Sequence, residues 1–308
     1  MKIKATFLDE ISYDIPHQNW GVEEWDKDFQ AMKAVGIDMV VLIRCGLRRQ
    51  MTFPSEVLKR EQSCFTPSTD LIQMFLDLAQ KHDMKFFCGT YDFGISAIDP
   101  NYDPDAEAKV IKEVNDEIIE RYGKHPAFSG WYLAQEIAGD GYRAADCYRD
   151  VAKRLKEKTN NLPIIISPFM RGSKVAGQIT VDPKLHEEQW ERILSKLQGL
   201  IDIIAFQDGH VQFEELPKFL KINKRLCDKY GMDCWTNAET FDRDMPIKFL
   251  PIKWDKLWWK LQAAESAGIS NALTFEFSHF MSPNSCYHAA HGLYKRYQEY
   301  LASQKEEK

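Results

Sequence analysis

The sequence lacks any hydrophobic run long enough to cross a membrane. Its longest apolar stretches, at 37–43 and 162–166, are far shorter than the roughly 20 residues that a transmembrane helix needs. Residues 3–8 form a strand-like run where a secretory signal would carry an apolar segment and a small-residue cleavage site. We therefore expect a protein with no membrane contact and a cytoplasmic location.

An excess of positive charge is also missing. The chain has 46 acidic and 40 basic residues, which gives a net charge of -6. Phosphate backbones select basic surfaces, so nucleic acid is not an expected partner. The patterns G-x-x-x-x-G-K-[ST] and G-x-S-x-G do not occur, which excludes P-loop phosphate binding and α/β-hydrolase chemistry.

Paired cysteines are missing as well. The seven cysteines stand singly, without any C-x-x-C pair, and their odd number fits a disulfide framework poorly. Structural zinc sites need closely spaced ligand pairs, so the spacing excludes a zinc ribbon or finger. We expect buried thiols.

A dinucleotide fingerprint is present in form only. Residues 139–144 match G-x-G-x-x-A, but a true fingerprint lies in the first β-α-β unit and is followed by an acid about 20 residues later. The next predicted strand, at 163–169, ends without an acid. We interpret the two glycines as a flexible loop beside Glu136 and expect no cofactor.

Short β-rich runs alternate with longer amphipathic segments through the whole chain. This alternation predicts parallel strands connected by helices. The eight predicted strands are 3–9, 39–45, 85–92, 128–136, 163–169, 201–208, 232–239 and 271–277. Their regular spacing is typical of a (β/α)8 barrel of about 250 residues, and no linker interrupts the series. The prediction is an α/β fold with a single barrel domain at 1–303 and a charged tail at 304–308.

Helix signals fill the gaps between these strands. Trp25, Phe29 and Met32 recur on one helical stripe that Gly36 ends. Asp-Pro pairs at 103–104 and 182–183 predict helix starts, because Asp caps a helix and Pro suits its first position. Trp254 and Trp258 share a stripe after strand seven, which predicts packing of that helix on the barrel.

Carboxylates are unusually frequent where the predicted strands end. In (β/α)8 enzymes these carboxyl ends build the active site. The acids at these positions are Asp9, Glu10, Asp92, Glu136, Asp208, Glu239 and Glu276. Acids at six strand ends indicate a site that binds hydroxyls or a metal or transfers protons, although helix caps and solvated loops account for some of them.

The stretch 121–136, RYGKHPAFSGWYLAQE, is the most specific feature. It resembles strand four of the retaining glycoside hydrolases of the (β/α)8 clan A, where His-Pro, an apolar strand with Trp and an acid follow in this order. The resemblance implies that Glu136 is the general acid/base and that Glu239, at the end of strand seven, is the nucleophile. Gln135 departs from the clan, which usually places Asn before the acid/base, so the identity of the sugar is open. The chain also resembles uncharacterised bacterial barrel families that share the Trp-Tyr-Leu-x-x-Glu, Phe-Gln-Asp-Gly and Phe-x-His-Phe-Met-Ser-Pro patterns.

The neighbours of the two glutamates fit a division of labour. Glycoside hydrolysis needs one protonated carboxylic acid and one ionised carboxylate. Residues 131–134 before Glu136 are mostly apolar, and desolvation raises the pKa of a carboxyl. Thr236 and Asn237 supply polar groups that would keep Glu239 ionised. We therefore expect a retaining glycosidase with a carbohydrate as its partner.

Further residues at or near strand ends are candidates for binding the sugar. Sugar faces stack on aromatic rings, and hydroxyls bond to acids and amides. The predicted substrate-binding residues are Asp9, Trp20, Arg44, Tyr91, Asp92, Trp131, Tyr132, Gln135, Asp208, His210, Trp235, Asn237, Glu276 and His279. The loops at 47–68, 95–103 and 170–183 would set specificity, and neither the sugar, the linkage nor the oligomeric state follows from the sequence.

Two alternatives stay open. Asp208 and His210, together with Glu136, Glu239 and Glu276, would resemble the divalent-metal site of a sugar isomerase or epimerase. The histidines lack H-x-H or H-E-x-x-H spacing, so we predict no metal ligands. The other alternative is a barrel that binds carbohydrate without cleaving it.

Overall fold

The computed structural model describes residues 1–174, 180–243 and 249–306. Eight parallel strands close into a barrel, which confirms the predicted single (β/α)8 fold. The strands are β1 (Ile3–Leu8), β2 (Met39–Leu42), β3 (Lys85–Gly89), β4 (Phe128–Leu133), β5 (Ile164–Ile166), β6 (Ile203–Gln207), β7 (Asp233–Asn237) and β8 (Ala272–Thr274). Each pairs with its neighbours in sequence, and β1 pairs with both β2 and β8.

Ten helices cover the barrel within the described residues. They are α1 (Val22–Ala34), α2 (Glu56–Gln62), α3 (Leu71–Lys81), α4 (Pro104–Tyr122), α5 (Ala144–Lys158), α6 (Pro183–Leu197), α7 (Leu216–Tyr230), α8 (Trp254–Ser266), α9 (Phe277–Phe280) and α10 (His288–Glu306). Asp103 and Asp182 cap α4 and α6 with their side chains, as predicted. None of these helices is long and apolar enough to span a membrane.

Side chains alternate between two apolar layers along the strands. Tyr132 and Trp235 lie in the layer inside the barrel, which also contains Phe7, Val41, Phe87 and Ile165. Trp131 and Leu133 lie in the larger layer between strands and helices. Since successive residues of a strand point to opposite faces, this parity decides which residues beyond each strand end turn toward the barrel axis.

The loops at the carboxyl ends of the strands carry additional structure. The predicted insertion at 47–68 contains α2, and the two-residue strands Gly46–Leu47 and Gln50–Met51 pair there with each other. Gly46–Leu47 also pairs with Tyr91–Asp92. The predicted specificity loop at 170–183 includes 175–179, which lie outside the described residues.

Two expectations about packing are wrong in part. Trp254 contacts the rings of Tyr297 and Tyr300 as predicted, but Trp258 is 39% exposed. The buried stripe of α8 runs instead through Leu257, Lys260, Leu261 and Ala264. Six cysteines are buried and Cys286 is exposed, because it lies in the loop between α9 and α10.

Candidate active site

A cleft of about 220 Å³ opens at the carboxyl ends of the barrel strands. Predicted site residues that line it are Arg44, Glu136, His210, Asn237 and Glu239. The lining that the sequence analysis did not name is Phe7, Ser12, Asp14, Ile15, Phe169, Gln207, Phe241, Arg243, Phe249 and Phe275. The structure therefore brings both predicted catalytic glutamates to one cavity.

Glu136 follows β4 with the inward parity of Tyr132. Its side chain is 38% exposed, so its carboxyl is accessible from the cleft. The pKa of Glu136 is raised, because surrounding protein removes bulk water and because Asp92 and Glu239 are negative, while Arg44 opposes the change. Arg44 is 3.8 Å from Oε1 of Glu136 but only 2.9 Å from Asp92, which leaves Glu136 loosely paired and suited to hold a proton.

Glu239 follows β7 with the inward parity of Trp235, and its side chain is only 3% exposed. Both of its oxygens accept hydrogen bonds from Arg243, at 2.8 and 2.7 Å. Burial favours the neutral acid, but the positive charges of Arg243 and Lys260 outweigh burial and lower the pKa of Glu239. Cations, and not the polar groups of Thr236 and Asn237 as predicted, therefore favour the ionised form of Glu239.

Gly209, in the turn after β6, lets the Glu239 carboxylate approach the backbone. A Cβ atom at this position would lie 1.7 Å from Oε2 of Glu239 and 2.4 Å from Nε of Arg243. Any larger residue would displace the ion pair, because real Cβ contacts are never this short. The glycine of the Phe-Gln-Asp-Gly pattern thus has a steric role at the site.

Polar side chains complete the floor and wall of the cleft. Asn237 bonds through Nδ2 to Ser167 and accepts a bond from the backbone of Phe275. Burial and the nearby charge of Arg243 lower the pKa of His210 to about 4. His210 therefore lines the cleft as a neutral imidazole at pH 7, able both to donate and to accept hydrogen bonds.

Asp92 and Gln135 support the cleft from behind its lining. Asp92 accepts from Arg44 at 2.9 Å and from the backbone of Gly94 at 2.7 Å. Gln135 accepts from Tyr102 and donates to the backbone of Ile95. Neither side chain is part of the cleft lining.

The predicted stacking aromatics lie outside the cleft lining, four of them in the core. Trp131 and Tyr132 are fully buried, and Trp235 is 5% exposed. The indole of Trp235 donates to Asp233 at the start of β7, at the opposite end of the barrel from the cleft. Trp20 packs on Trp25, and the Tyr91 hydroxyl donates to the backbone of Arg48. Burial below or behind the cleft thus keeps four of these rings out of its lining, and the partly buried Trp20 lies before α1, outside the strands.

Asp9, Glu276 and His279 form a buried group between β1 and β8, beside the cleft lining. His279 contacts Oε1 of Glu276 at 2.5 Å through Nδ1 and the carbonyl of Pro16 at 2.7 Å through Nε2. Desolvation is outweighed by the negative charge of Glu276, so the pKa of His279 is raised to about 9. Both ring nitrogens therefore donate at pH 7. Asp9 accepts from the backbone of Ile11 and Ser12.

Asp208 turns away from the cleft, toward α8. Lys260 donates to its Oδ1 at 2.7 Å, and the backbone of Glu239 donates to the same atom at 3.2 Å. Three acids of the proposed isomerase site are thus bonded to other side chains: Asp208 to Lys260, Glu239 to Arg243 and Glu276 to His279. Within the ranges that the structure describes, no three His, Cys, Asp or Glu side chains are arranged to hold a metal ion.

Arg243 and Lys260 are the functional residues that the sequence analysis missed. Arg243 lies four residues after Glu239, a spacing that suggests contact only within a helix, and here it is in a loop. Lys260 carried a clearer signal, since it lies on the apolar stripe of α8 between Leu257 and Ala264. A lysine in such a stripe needs a buried acid as partner.

The fold and the cleft together define a (β/α)8 barrel that presents one glutamate from its fourth strand and one from its seventh. The chain belongs to the DUF4434 family, a domain of unknown function whose family model matches residues 3–287. The chain matches no curated protein.

Solved structures similar to this chain include one at high sequence identity. A crystal structure described as "a putative alpha-L-fucosidase from Bacteroides thetaiotaomicron VPI-5482" is 50% identical, with a TM-score of 0.94 over 98% of this chain and 93% of that chain. An endo-1,4-beta-D-mannanase from Thermotoga petrophila RKU-1 is 12% identical, with a TM-score of 0.59 over 89% of this chain and 87% of that chain. An intracellular xylanase from Thermoanaerobacterium saccharolyticum is 14% identical, with a TM-score of 0.54 over 88% of this chain and 84% of that chain. The mannanase and the xylanase show similarity of fold alone.

Proposed function

We propose that the protein is a retaining glycoside hydrolase in which Glu136 is the general acid/base and Glu239 the nucleophile. The observation that carries this proposal is the pair of glutamates that line one cleft with pKa values shifted in opposite directions. Environments that push two carboxyl pKa values apart assign the acid and the anion in such sites.

In the first step, the protonated Glu136 gives its proton to the glycosidic oxygen. An oxygen of Glu239 attacks the anomeric carbon as the bond to the leaving oxygen breaks, and a glycosyl ester forms. Each carboxylate oxygen has more than one lone pair, so the bonds from Arg243 leave one free for this attack. The exposed face of Glu136 lets a substrate reach its proton.

In the second step, Glu136 is an anion and acts as the base. It removes a proton from a water molecule that attacks the anomeric carbon, and Glu239 leaves as the carboxylate. Arg243 stabilises the departing anion through two charge-assisted hydrogen bonds. Glu136 ends the cycle protonated and Glu239 ionised, as they began.

The size of the cleft supports a small glycone as the group that is bound and cleaved. At about 220 Å³ it is below the roughly 300–1,000 Å³ of sites for drug-sized ligands. The 50% identity to the Bacteroides thetaiotaomicron protein makes α-L-fucosides the first substrates to test. Xylosides and mannosides are the next choice.

The experiment is turnover of aryl glycosides by wild type and two variants, with the anomer of the product followed by proton NMR. Wild type should release the sugar with retained configuration. Glu239→Gln should lose turnover, since nothing else in the site replaces the nucleophile. Glu136→Ala should keep slow cleavage of activated aryl glycosides but lose about 10²–10⁴-fold on unactivated ones, and azide should rescue it as the glycosyl azide.

Glu113→Gln is the control, because Glu113 is exposed and pairs with Arg60 on the outer surface. Inverted product would overturn the assignment of Glu239 as nucleophile. No cleavage across the glycoside panel would remove the hydrolase proposal.

Dialysis against EDTA separates this mechanism from the isomerase alternative. Hydrolysis by two carboxylates needs no cation, whereas an isomerase of that type depends on its divalent ion. Glycosidase activity should survive EDTA unchanged. Loss of activity that magnesium, manganese or cobalt restores would contradict the two-glutamate mechanism.

A further inference from the structure

A buried ion pair lies directly behind the proposed nucleophile. The side chain of Lys260 is 5% exposed and that of Asp208 is fully buried. Nζ of Lys260 donates to Oδ1 of Asp208 at 2.7 Å and to the backbone carbonyl of Glu239 at 3.1 Å. Oδ1 of Asp208 also accepts from the backbone N–H of Glu239 at 3.2 Å. The pair therefore holds both backbone polar groups of Glu239.

Stability alone does not account for this pair. Desolvation of two charges opposes the Coulomb attraction, and apolar replacements of buried ion pairs are often neutral or stabilising. Lys260 also occupies a position on the apolar stripe of α8, between Leu257 and Ala264. An aliphatic residue would be the ordinary choice for such a position.

We propose that Lys260 and Asp208 are positioning residues that together fix the backbone of Glu239, and that Lys260 also places a positive charge behind its carboxylate. This inference deepens the proposed glycosidase function and rests on it for the catalytic consequence. Asp208, predicted to bind substrate, acts instead from outside the barrel wall. Lys260 supplies a positive charge from α8 that substrate does not contact.

Five charged or titratable groups face Glu239 from the elements around it. They are Arg243 in the loop after β7, Lys260 on α8, Asp208 and His210 after β6, and Glu136 after β4. Among these groups, Lys260 donates hydrogen bonds to both Asp208 and the Glu239 backbone carbonyl. A change at Lys260 tests its contribution when the other four positions are the same in the two proteins compared.

The decisive comparison is between D208N and the double variant D208N/K260M. Asn keeps an oxygen that accepts from the Glu239 N–H, and both proteins carry it. The two proteins therefore differ only at Lys260, where Met lacks the charge and the bond to the Glu239 carbonyl. Titration of carbon-13 labelled glutamate carboxyls by NMR, with the Glu239 signal assigned from its loss in E239Q, should give a Glu239 pKa higher by about one unit in the double variant. If D208N does not fold, K260M against wild type serves the same purpose.

A matched control lies at the other end of the barrel. Asp202 accepts from Lys156 at 2.6 Å and from the backbone of Ile164 at 2.7 Å, which repeats the pattern of Asp208 with Lys260 and Glu239. D202N/K156M should lower the melting temperature without moving the Glu239 titration. An equal Glu239 pKa in D208N and D208N/K260M would overturn the electrostatic role of Lys260.

Kinetics then test the positioning role on any glycoside that wild type cleaves. In D208N/K260M, kcat should fall about tenfold or more with KM nearly unchanged, because the nucleophile is misplaced while the sugar contacts remain. D202N/K156M should keep wild-type kcat. A wild-type kcat in D208N/K260M would overturn positioning, whereas no cleavage by wild type would count against the glycosidase proposal and leave the NMR comparison valid.

Discussion

At the scale of a single residue, the burial of Glu10 makes the free energy of unfolding depend on pH. Its side chain is 12% exposed, and Oε1 has no hydrogen-bond partner among the described residues. Burial raises the pKa of Glu10 to about 7, with a contribution from Asp9 and Glu276 that His279 opposes. The folded protein therefore holds a proton on Glu10 that the unfolded chain releases near pH 4.5.

The sign of the consequence follows from proton counts. Between about pH 4.5 and 7 the unfolded chain binds fewer protons at this group than the folded protein, so stability falls as pH rises through this window. Glu10→Gln removes the group. We expect the free energy of unfolding of this variant, relative to that of wild type, to increase by about 2 kcal/mol from pH 5 to pH 8.

Urea unfolding of both proteins at several pH values measures this difference. Glu299→Gln, on the exposed side of α10, controls for the change from acid to amide. A stability difference that does not change with pH would show that Glu10 is ionised in the folded protein.

Strand parity explains at the residue scale why some predicted site residues line the cleft and others do not. Glu136 and Glu239 share the inward parity of Tyr132 and Trp235, and the sequence contains this information. Asp208 has the opposite parity to the inward Ala205 and faces α8. A parity count would have moved Asp208 out of the predicted substrate site. Arg243 follows no such rule, because it lies in a loop and not on a strand.

At the scale of elements, the turn after β6 determines the surroundings of Glu239, the proposed nucleophile. Asp208 accepts from the backbone of Glu239, Gly209 faces its carboxylate, and His210 lines the same cleft. Three consecutive residues after β6 thus surround one residue beyond β7, the adjacent strand. Such contacts between neighbouring strand ends are the usual way in which a barrel assembles a site from distant sequence positions.

Gly209→Ala tests this turn. The added Cβ would meet Oε2 of Glu239 at 1.7 Å, so the ion pair with Arg243 must shift. Misplacement of a reacting group by about 1 Å can cost about 10²-fold in rate, and we expect kcat to fall by that order with a small change in melting temperature. Gly292→Ala in α10, where a Cβ meets nothing within 4 Å, should keep full activity. Equal activity of the two variants would contradict the steric role of Gly209.

Elements were predicted better than their ends. All eight barrel strands coincide with predicted runs, because burial on both faces gives parallel strands continuous apolar sequence. The observed strands stop one to three residues before Asp9, Glu136 and Glu239, where the chain leaves the ladder to build the cleft. The pairing of Gly46–Leu47 with Gln50–Met51 and Tyr91–Asp92 was not predicted, since two-residue strands have no period of their own and depend on their partners.

At the scale of the whole molecule, α10 joins the end of the chain to its beginning. The hydroxyl of Tyr300 accepts from the amino group of Met1 at 2.7 Å, and that of Tyr297 accepts from the backbone of Ile3 at 2.7 Å. Ile3 belongs to β1, which closes the barrel against β8. The helix therefore covers β1 near the point where the first and last strands meet.

Truncation of the chain tests whether this cover is part of the barrel domain. A chain of residues 1–287 loses four buried side chains of α10, namely those of Ala290, Leu293, Tyr297 and Tyr300. Burial of a large apolar side chain contributes about 1.5–3 kcal/mol, so the three larger ones together approach the total stability of about 5–15 kcal/mol of a typical domain. We expect residues 1–287 to show no cooperative unfolding transition by circular dichroism, and residues 1–303, which lack only the charged tail, to melt like the full chain. Tyr297→Phe and Tyr300→Phe keep the rings and remove one hydrogen bond or more each, so they should cost only about 1 kcal/mol apiece. A cooperative transition of residues 1–287 at the wild-type temperature would place α10 outside the folding unit, and the barrel would then close without it.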